Sequence, residues 1–239
     1  MVRAILFDCV GTLFRVEVDH GLQLKILHEK LVEEGFKTGY GEFMEAYRRA
    51  YAKYLKVRME ELREVPNMVW VADALRRLGF EAAEEDPALR RAVEAYFEPY
   101  LESVRPIECV PSILVELKRD FKLGVVTNFT YAPTMRRILS NLKIVSHLEA
   151  VTISHEVGWR KPHPRIFEAA LQALQVQPWE AMFVGDDPHD DIAGGKKAGL
   201  KTVLVFKPGN ADKRVFEGDL PPDFQVESVC KLRDVLGRG

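Results

Sequence analysis

Short, unbroken apolar segments constrain the fold of this chain more than any other feature of its sequence. The first covers residues 4–7, and others lie at 123–126, 182–184 and 202–206. A segment of this length that ends at a turn is typical of a strand buried on both faces, as in a parallel sheet. From residue 110 onward these segments alternate with helical periodicity, which predicts, among others, a helix at 190–198 and, after a looser segment that includes 207–210, a C-terminal helix from Val229 to Leu236. The sequence therefore predicts successive strand-helix-strand units around a parallel sheet.

Residues 15–105 separate the first strand from the others and show helical periodicity throughout. Asp19 is a candidate N-cap, Gly35 a candidate helix end, and Asp86-Pro87 combines a cap with proline at the first helical position. The pattern predicts four amphipathic helices in a small antiparallel bundle. We therefore expect one α/β domain whose first strand is separated from the rest of its sheet by an inserted α-helical cap.

Composition excludes several classes of protein. The 239 residues carry 34 basic and 36 acidic side chains, a net charge of -2, and the basic residues are scattered. This distribution predicts no nucleic-acid or membrane partner. No stretch approaches the roughly 20 apolar residues of a membrane span, and we expect a cytoplasmic protein. The oligomeric state is left open.

The three cysteines are Cys9, Cys109 and Cys230, and they lie far apart in the sequence. No two of them have the spacing of a metal site or a redox motif, so we expect reduced thiols. Cys9 is expected to be a small packed residue rather than a nucleophile.

Polar residues follow three of the predicted strands. Asp8 ends the first, Thr127-Asn128 the second, and Gly185-Asp186-Asp187 a later one. The carboxyl ends of parallel strands meet at one edge of a sheet, so these residues should share a crevice with the rigid basic segment 159–164. Together they offer a carboxylate nucleophile, a hydroxyl, an ammonium group and acids able to hold a hard divalent cation. That combination suits phosphoryl transfer.

The acidic segment after the later strand supports a role for a cation. Asp190 and Asp191 alone are explained by a helix start, where the helix dipole favours carboxylates. Asp186 and Asp187 are not, because four carboxylates within six residues repel one another unless a cation relieves them.

Four segments, in this order and spacing, resemble the motifs of the haloacid dehalogenase-like (HAD) hydrolase superfamily. They are Asp8-Cys9-Val10-Gly11-Thr12-Leu13, Val126-Thr127-Asn128, Lys161-Pro162 and Gly185-Asp186-Asp187-Pro188-His189-Asp190-Asp191. The match spans nearly the whole chain. The resemblance implies a Rossmann-like parallel core of residues 1–14 and 106–239 with a helical cap of residues 15–105.

The resemblance also implies roles for individual residues. Asp8 would be the nucleophile that forms an aspartyl-phosphate, and Lys161 would neutralise both the phosphate and Asp8. Thr127 and the backbone amide of Asn128 would hold the phosphoryl oxygens of a small phosphorylated metabolite. Mg²⁺ would be bound by Asp8, the Val10 carbonyl and Asp186, while Asp187 or Asp191 would hold its waters or Lys161 from behind. Asp187 is also counted among the candidate metal residues.

Val10 departs from the pattern. Phosphatases of this superfamily usually carry a second aspartate two residues after the nucleophile, as general acid and base, and valine cannot move a proton. Three readings remain open: a metal-dependent phosphatase, a 2-haloacid dehalogenase-like enzyme whose halide needs no proton, and a non-catalytic phosphate-binding protein. The acidic segment favours the phosphatase, because those dehalogenases work without metal and lack an Asp186-Asp187 pair.

Overall fold

A computed structural model describes residues 1–205 and 220–236. Six parallel strands form its centre: β1 (Ala4–Phe7), β4 (Lys122–Thr127), β5 (Ala150–Ile153), β6 (Ala181–Gly185), β7 (Lys201–Val205) and β8 (Phe224–Val226). Their spatial order in the sheet is β5-β4-β1-β6-β7-β8. Two short strands, β2 (Phe14–Val16) and β3 (Val104–Pro106), form a separate antiparallel ribbon. The predicted Rossmann-like α/β class is confirmed.

Helices cover the sheet and fill the interval between β2 and β3. That interval, here the helical insert, contains α1 (His20–Glu33), α2 (Tyr40–Glu60), α3 (Asn67–Arg77) and α4 (Pro87–Ser103). The others are α5 (Val110–Leu117), α6 (Ala132–Asn141), α7 (Ser154–Val157), α8 (Pro164–Leu174), α9 (Gly194–Lys197) and α10 (Arg233–Leu236). Short 3₁₀ turns lie at Val145–His147, Pro178–Glu180 and Val229–Lys231, and a π-helical turn lies at Pro188–Ala193.

Strand β1 shows why the apolar segments form the centre of the fold. All four of its residues are fully buried, and alternate side chains enter different apolar clusters: Ile5 and Phe7 one, Ala4 and Leu6 the other. A strand with an apolar cluster on each face cannot lie at the surface, because both faces must leave water. Asp8, the next residue, is thereby placed at the carboxyl edge of the sheet.

The helical insert forms as its capping signals predict. The Asp19 side chain accepts the amides of Gly21 and Leu22, and Asp86 accepts that of Ala88 before the Pro87 start of α4. In the insert α1 packs against α4 and α2 against α3. The division into a core of residues 1–14 and 106–239 and a cap of 15–105 stays a prediction.

Side chains of α4 contact residues 129–137, as in the stacked Phe97–Tyr131 pair and the Arg137–Glu98 ion pair, and two attachments through the backbone also join the helical insert to the sheet. One is the β2–β3 ribbon through which the chain enters and leaves the insert. The other is the segment 62–67, here called the docking segment. Its Glu64 amide donates to the Gly158 carbonyl, and its Leu62 carbonyl accepts the Arg160 amide, both at 3.0 Å. The Glu64 carboxylate accepts the hydroxyl of Ser154 at 2.5 Å, and Ser154 in turn accepts the Phe129 amide at 2.9 Å.

Two expectations about local structure need correction. Cys109 and Cys230 form a disulfide across 121 residues, so only Cys9 among the three cysteines is a free thiol, and it is buried. The thiols were expected to be reduced because no local motif pairs them; α5 and the C-terminal turn bring them together. The helix expected at 190–198 begins at Pro188 with a π-helical turn, capped by Asp187.

Some expectations at the C-terminal end are only partly covered by the described residues. Phe206, the expected end of β7, and the segment 207–210 lie outside them. The helix expected from Val229 to Leu236 is a 3₁₀ turn followed by the short α10. Across the described parts of the chain no helix combines the length and apolar character needed to cross a bilayer.

Candidate active site

Polar ends of three strands meet at one edge of the sheet, as predicted. Asp8 follows β1, Thr127 ends β4, and Asp186 follows β6, and because β4 and β6 flank β1 the three residues line one cavity of about 530 Å³. Val10, Asn128, Lys161, Asp187 and Asp191 line the same cavity. All the candidate site residues of the sequence thus face one space.

Lys161 is the electrostatic centre of the site. Its ammonium Nζ donates to Asp8 Oδ1 and to Asp191 Oδ1, each at 2.6 Å, and all three side chains are buried. Burial alone would lower the pKa of Lys161, but the Asp191 and Asp8 carboxylates outweigh it and raise that pKa above its ordinary value. The raised pKa favours the charged form of the lysine across the neutral range.

Asp191 is held by more contacts than its partner Asp8. Its Oδ2 accepts the backbone amides of Asp186 and Asp187, both at 3.0 Å, so both of its oxygens are engaged. A Cβ at Gly185 would collide with this carboxylate, so only glycine leaves room for it there. Burial raises the pKa of Asp191 to about 7, against the opposing pull of Lys161.

Asp8 occupies an electrostatically costly position. Burial raises its pKa, Lys161 opposes that rise, and the neighbouring Asp186 carboxylate adds to it. A buried carboxylate beside one cation and one further anion gains from a second cation. Cys9 next to it is not a nucleophile, because burial and then the charge of Asp8 raise the pKa of its thiol well above the ordinary range.

The donor atoms suit a hard divalent cation. Carboxylate oxygens of Asp8, Asp186 and Asp191 all lie within 4.8 Å of one another. Gly11 has a positive φ of +90°, and a Cβ there would collide with the Asp186 carboxylate, so the loop after β1 approaches the acids closely only because it carries glycine. Oxygen donors at this spacing are the ligands that Mg²⁺ prefers.

Asn128 has a positioning function that its sequence motif did not reveal. Its side-chain Oδ1 accepts the Lys161 amide at 2.7 Å, while Nδ2 donates to the Lys161 carbonyl and to Asp190 Oδ2, each at 3.0 Å. One side chain thus fixes the backbone on both sides of the lysine. Thr127 is buried and lines the same cavity.

Asp187 differs in its contacts from the other acids. Its Oδ1 accepts the amides of His189 and Asp190, at 2.9 and 2.8 Å, and so caps the π-helical turn. It faces the cavity but lies outside the three-carboxylate cluster, whereas Asp191 lies within it.

Sequence reasoning missed three residues of the cavity wall. Arg15, Val16 and Glu17 belong to β2 and the residue after it, and they face the same cavity as Asp8. No motif marks them. Their strand, β2, has three residues and is too short to show a period in the sequence.

Comparison with known proteins agrees with this arrangement. The family model for haloacid dehalogenase-like hydrolases matches residues 40–205. A glyceraldehyde 3-phosphate phosphatase of Methanopyrus kandleri is 29% identical over 238 residues, covering 99% of this chain and 97% of the relative. One of Pyrococcus abyssi is 30% identical over 244 residues, covering 99% and 93%.

Solved structures show the same fold. A 2-haloacid dehalogenase from Pseudomonas syringae pv. Tomato DC3000 superposes with a TM-score of 0.68 at 24% identity, covering 100% of this chain and 99% of its own. The putative HAD-hydrolase YfnB from Bacillus subtilis, bound to magnesium, gives a TM-score of 0.61 at 20% identity, covering 98% of each chain.

The chain belongs to the haloacid dehalogenase-like hydrolase family. It is an enzyme of that family, and the phosphatase class expected from its motifs is confirmed by relatives that match it over almost their full length.

Proposed function

We propose that this enzyme hydrolyses the phosphate monoester of a small metabolite in the presence of Mg²⁺, through an aspartyl-phosphate on Asp8. The observation that supports it best is the buried Asp8–Lys161–Asp191 triad beside Asp186, at the carboxyl edge of the sheet. Glyceraldehyde 3-phosphate is the first substrate to test, since the full-length relatives carry that activity in their names.

In the proposed first step, an Asp8 carboxylate oxygen attacks phosphorus and the bond from phosphorus to the ester oxygen breaks. The alcohol leaves and the phosphoryl group stays on Asp8 as an acyl phosphate. In the second step water attacks that phosphorus and gives up a proton to solvent, the bond to the Asp8 oxygen breaks, and phosphate is released while Asp8 regains its carboxylate. Lys161 offsets the negative charge that Asp8 and the phosphoryl group share, and the Thr127 hydroxyl and Asn128 amide hold phosphoryl oxygens.

The proposed metal residues are Asp8, the Val10 carbonyl, Asp186 and Asp187. Mg²⁺ bound there would lower the repulsion between the Asp8 carboxylate and the dianionic substrate. Both oxygens of Asp191 are engaged, so its role would be to support the site without binding the metal. It would do so by fixing the ammonium of Lys161 and the backbone amides of Asp186 and Asp187.

Val10 leaves no carboxyl group at the usual position of the acid and base. Water or another group must then deliver the proton to the leaving alcohol, and the loss is felt most with poor leaving groups. A dehalogenase would not need this proton, but such an enzyme would work without metal, and the carboxylates that line the cavity, with no divalent cation to offset them, would repel an anionic haloacid.

The test is phosphate release from glyceraldehyde 3-phosphate and p-nitrophenyl phosphate, with Mg²⁺ and with EDTA. We expect activity that needs the metal and is lost in Asp8→Asn, while the matched variant Asp120→Asn, a surface partner of Arg233, retains it. Acid quenching with ³²P-labelled substrate should leave label on the wild type and none on Asp8→Asn. Chloride release from 2-chloropropionate without metal, and no phosphate release, would replace the phosphatase by the dehalogenase.

A further inference from the structure

The cavity that contains Asp8 is strongly acidic for a site that receives a phosphate ester. Of the residues that the structure describes, six carboxylates line it, those of Asp8, Glu17, Asp186, Asp187, Asp190 and Asp191, against two cations, Arg15 and Lys161. Lys161 is already held between Asp8 and Asp191. Among the described residues of this wall, Arg15 is therefore the cation whose charge is not already paired with the carboxylates of Asp8 and Asp191.

The guanidinium of Arg15 has no protein partner within the described chain. It makes no hydrogen bond, ion pair or ring contact with another described residue, and it is exposed. Glu17, two residues further on and lining the same cavity, does not pair with it within the described ranges 1–205 and 220–236. A guanidinium has five donors, and one that faces a cavity without a partner is ready to receive an anion.

The β2–β3 ribbon makes the position of Arg15 less favourable still. The register places it directly opposite Arg105, and like charges opposite each other on two paired strands destabilise the pair. Arg105 directs Nη1 to the carbonyls of Glu102 and Val104, at 2.7 and 2.9 Å, and does not line the cavity. An anion bound at Arg15 would relieve this repulsion.

The location of Arg15 indicates which part of a substrate it would meet. The residues proposed to hold the reacting phosphoryl group, Thr127 and Lys161, belong to the sheet edge and the loop before α8. Arg15 belongs to the ribbon, outside the six-stranded sheet, where the chain enters the helical insert. A substrate whose phosphoryl group lies between Thr127 and Lys161 would have the ribbon, and with it Arg15, on the side from which its leaving group extends.

We propose that Arg15 is a specificity-determining residue that binds a second anionic group, a carboxylate or a phosphate, on the leaving group of the substrate. This inference rests on the proposed function. Planar guanidinium groups bind either anion through two parallel hydrogen bonds. Substrates of this kind are short phosphorylated acids and bisphosphates.

The test compares ligand pairs that differ only in the second anion. 3-Phosphoglycerate is paired with glycerol 3-phosphate, and fructose 1,6-bisphosphate with fructose 6-phosphate, each as an inhibitor of p-nitrophenyl phosphate hydrolysis. For Arg15→Gln we expect the inhibition constant of the doubly anionic member of at least one pair to rise about tenfold, the loss of a charge-assisted hydrogen bond. The constant of its partner, which keeps the phosphate but lacks the second anion, should change less than threefold. The pair that responds identifies carboxylate or phosphate.

Arg105→Gln is the matched control, since it removes the same charge from the facing position of the same ribbon, and it should leave all four constants within twofold. Equal changes for both members of each pair, or the same selectivity loss in Arg105→Gln, would overturn the inference. If wild-type protein releases no p-nitrophenol, the proposed function fails instead. Calorimetric titration of the same four ligands then decides the role of Arg15 by the same ratios.

Discussion

Replacing Lys161 by methionine should leave more uncompensated buried charge in the site than any other single substitution. Methionine keeps most of the volume and removes the charge that separates Asp8 from Asp191. Each carboxylate lies 2.6 Å from Nζ, which at an effective dielectric of 20 corresponds to about 6 kcal/mol of attraction per pair before desolvation is subtracted. Breaking a buried ion pair from one side typically costs about 3–5 kcal/mol.

The assay is thermal and denaturant unfolding of metal-free protein. A loss of this size lowers the melting temperature of a chain of this length by about 6–20 °C. Lys161→Met/Asp191→Asn should recover part of the loss, because it leaves one buried carboxylate instead of two. Added Mg²⁺ should also stabilise the single variant, since a second cation then faces Asp8. Phosphatase activity should fall by about 10²–10³ in both variants.

The pH dependence of the same variant checks the cause. Burial already raises the pKa of Asp191 to about 7, and removing the lysine raises it further. A carboxyl whose folded pKa lies above its unfolded value loses stabilisation as pH rises from the unfolded to the folded pKa. Wild-type Asp191 already loses it up to about pH 7, so the additional deficit of the variant should grow only above about pH 7, up to the higher folded pKa of the variant. A deficit below about 1 kcal/mol at pH 9, or one equal at pH 6 and pH 9, would refute the electrostatic argument.

Three further predictions concern other parts of the structure. Cys109→Ser/Cys230→Ser removes a cross-link across 121 residues and should lower the free energy of unfolding by about 5 kcal/mol through loop entropy. The melting temperature should fall and no longer respond to reductant, and a wild type whose melting temperature is insensitive to reductant would contradict this. Val10→Asp should raise turnover of alkyl phosphates more than of aryl phosphates, and an equal response would count against a missing proton donor. Gly11→Ala should weaken Mg²⁺ activation about tenfold or more by displacing Asp186, whereas Gly35→Ala, at a φ of +106° with no nearby atom, should cost stability alone. Metal titration of both alanine variants decides this last case.

The parts of the fold that follow from local patterns were predictable. Apolar segments located β1, β4 and β6, and capping residues such as Asp19 and Asp86 located the helices of the insert, because both signals depend on neighbours in the chain. Convergence of Asp8 and Asp186 followed from a general property of parallel sheets, that their carboxyl ends share an edge.

What the sequence did not reveal depends on contacts between distant residues. The disulfide joins positions 121 residues apart with no spacing that marks them. The Asn128 side chain makes two hydrogen bonds with the backbone of Lys161, which lies in a different loop. The sequence of either loop alone does not predict these bonds. The exposure of Arg15 to the cavity depends on the direction of a three-residue strand, which is too short to show a period.

The docking segment restricts how the helical insert can move. Swinging the insert away from the sheet would break the amide hydrogen bonds of Glu64 and Arg160 as well as the buried contact of Glu64 with Ser154. It would also separate Phe97 of α4 from Tyr131 and break the Glu98–Arg137 ion pair. We therefore expect the insert to stay seated on these contacts while substrate enters and leaves, and any opening of the cavity to be confined to the side of the β2–β3 ribbon, whose Arg15 and Val16 line it.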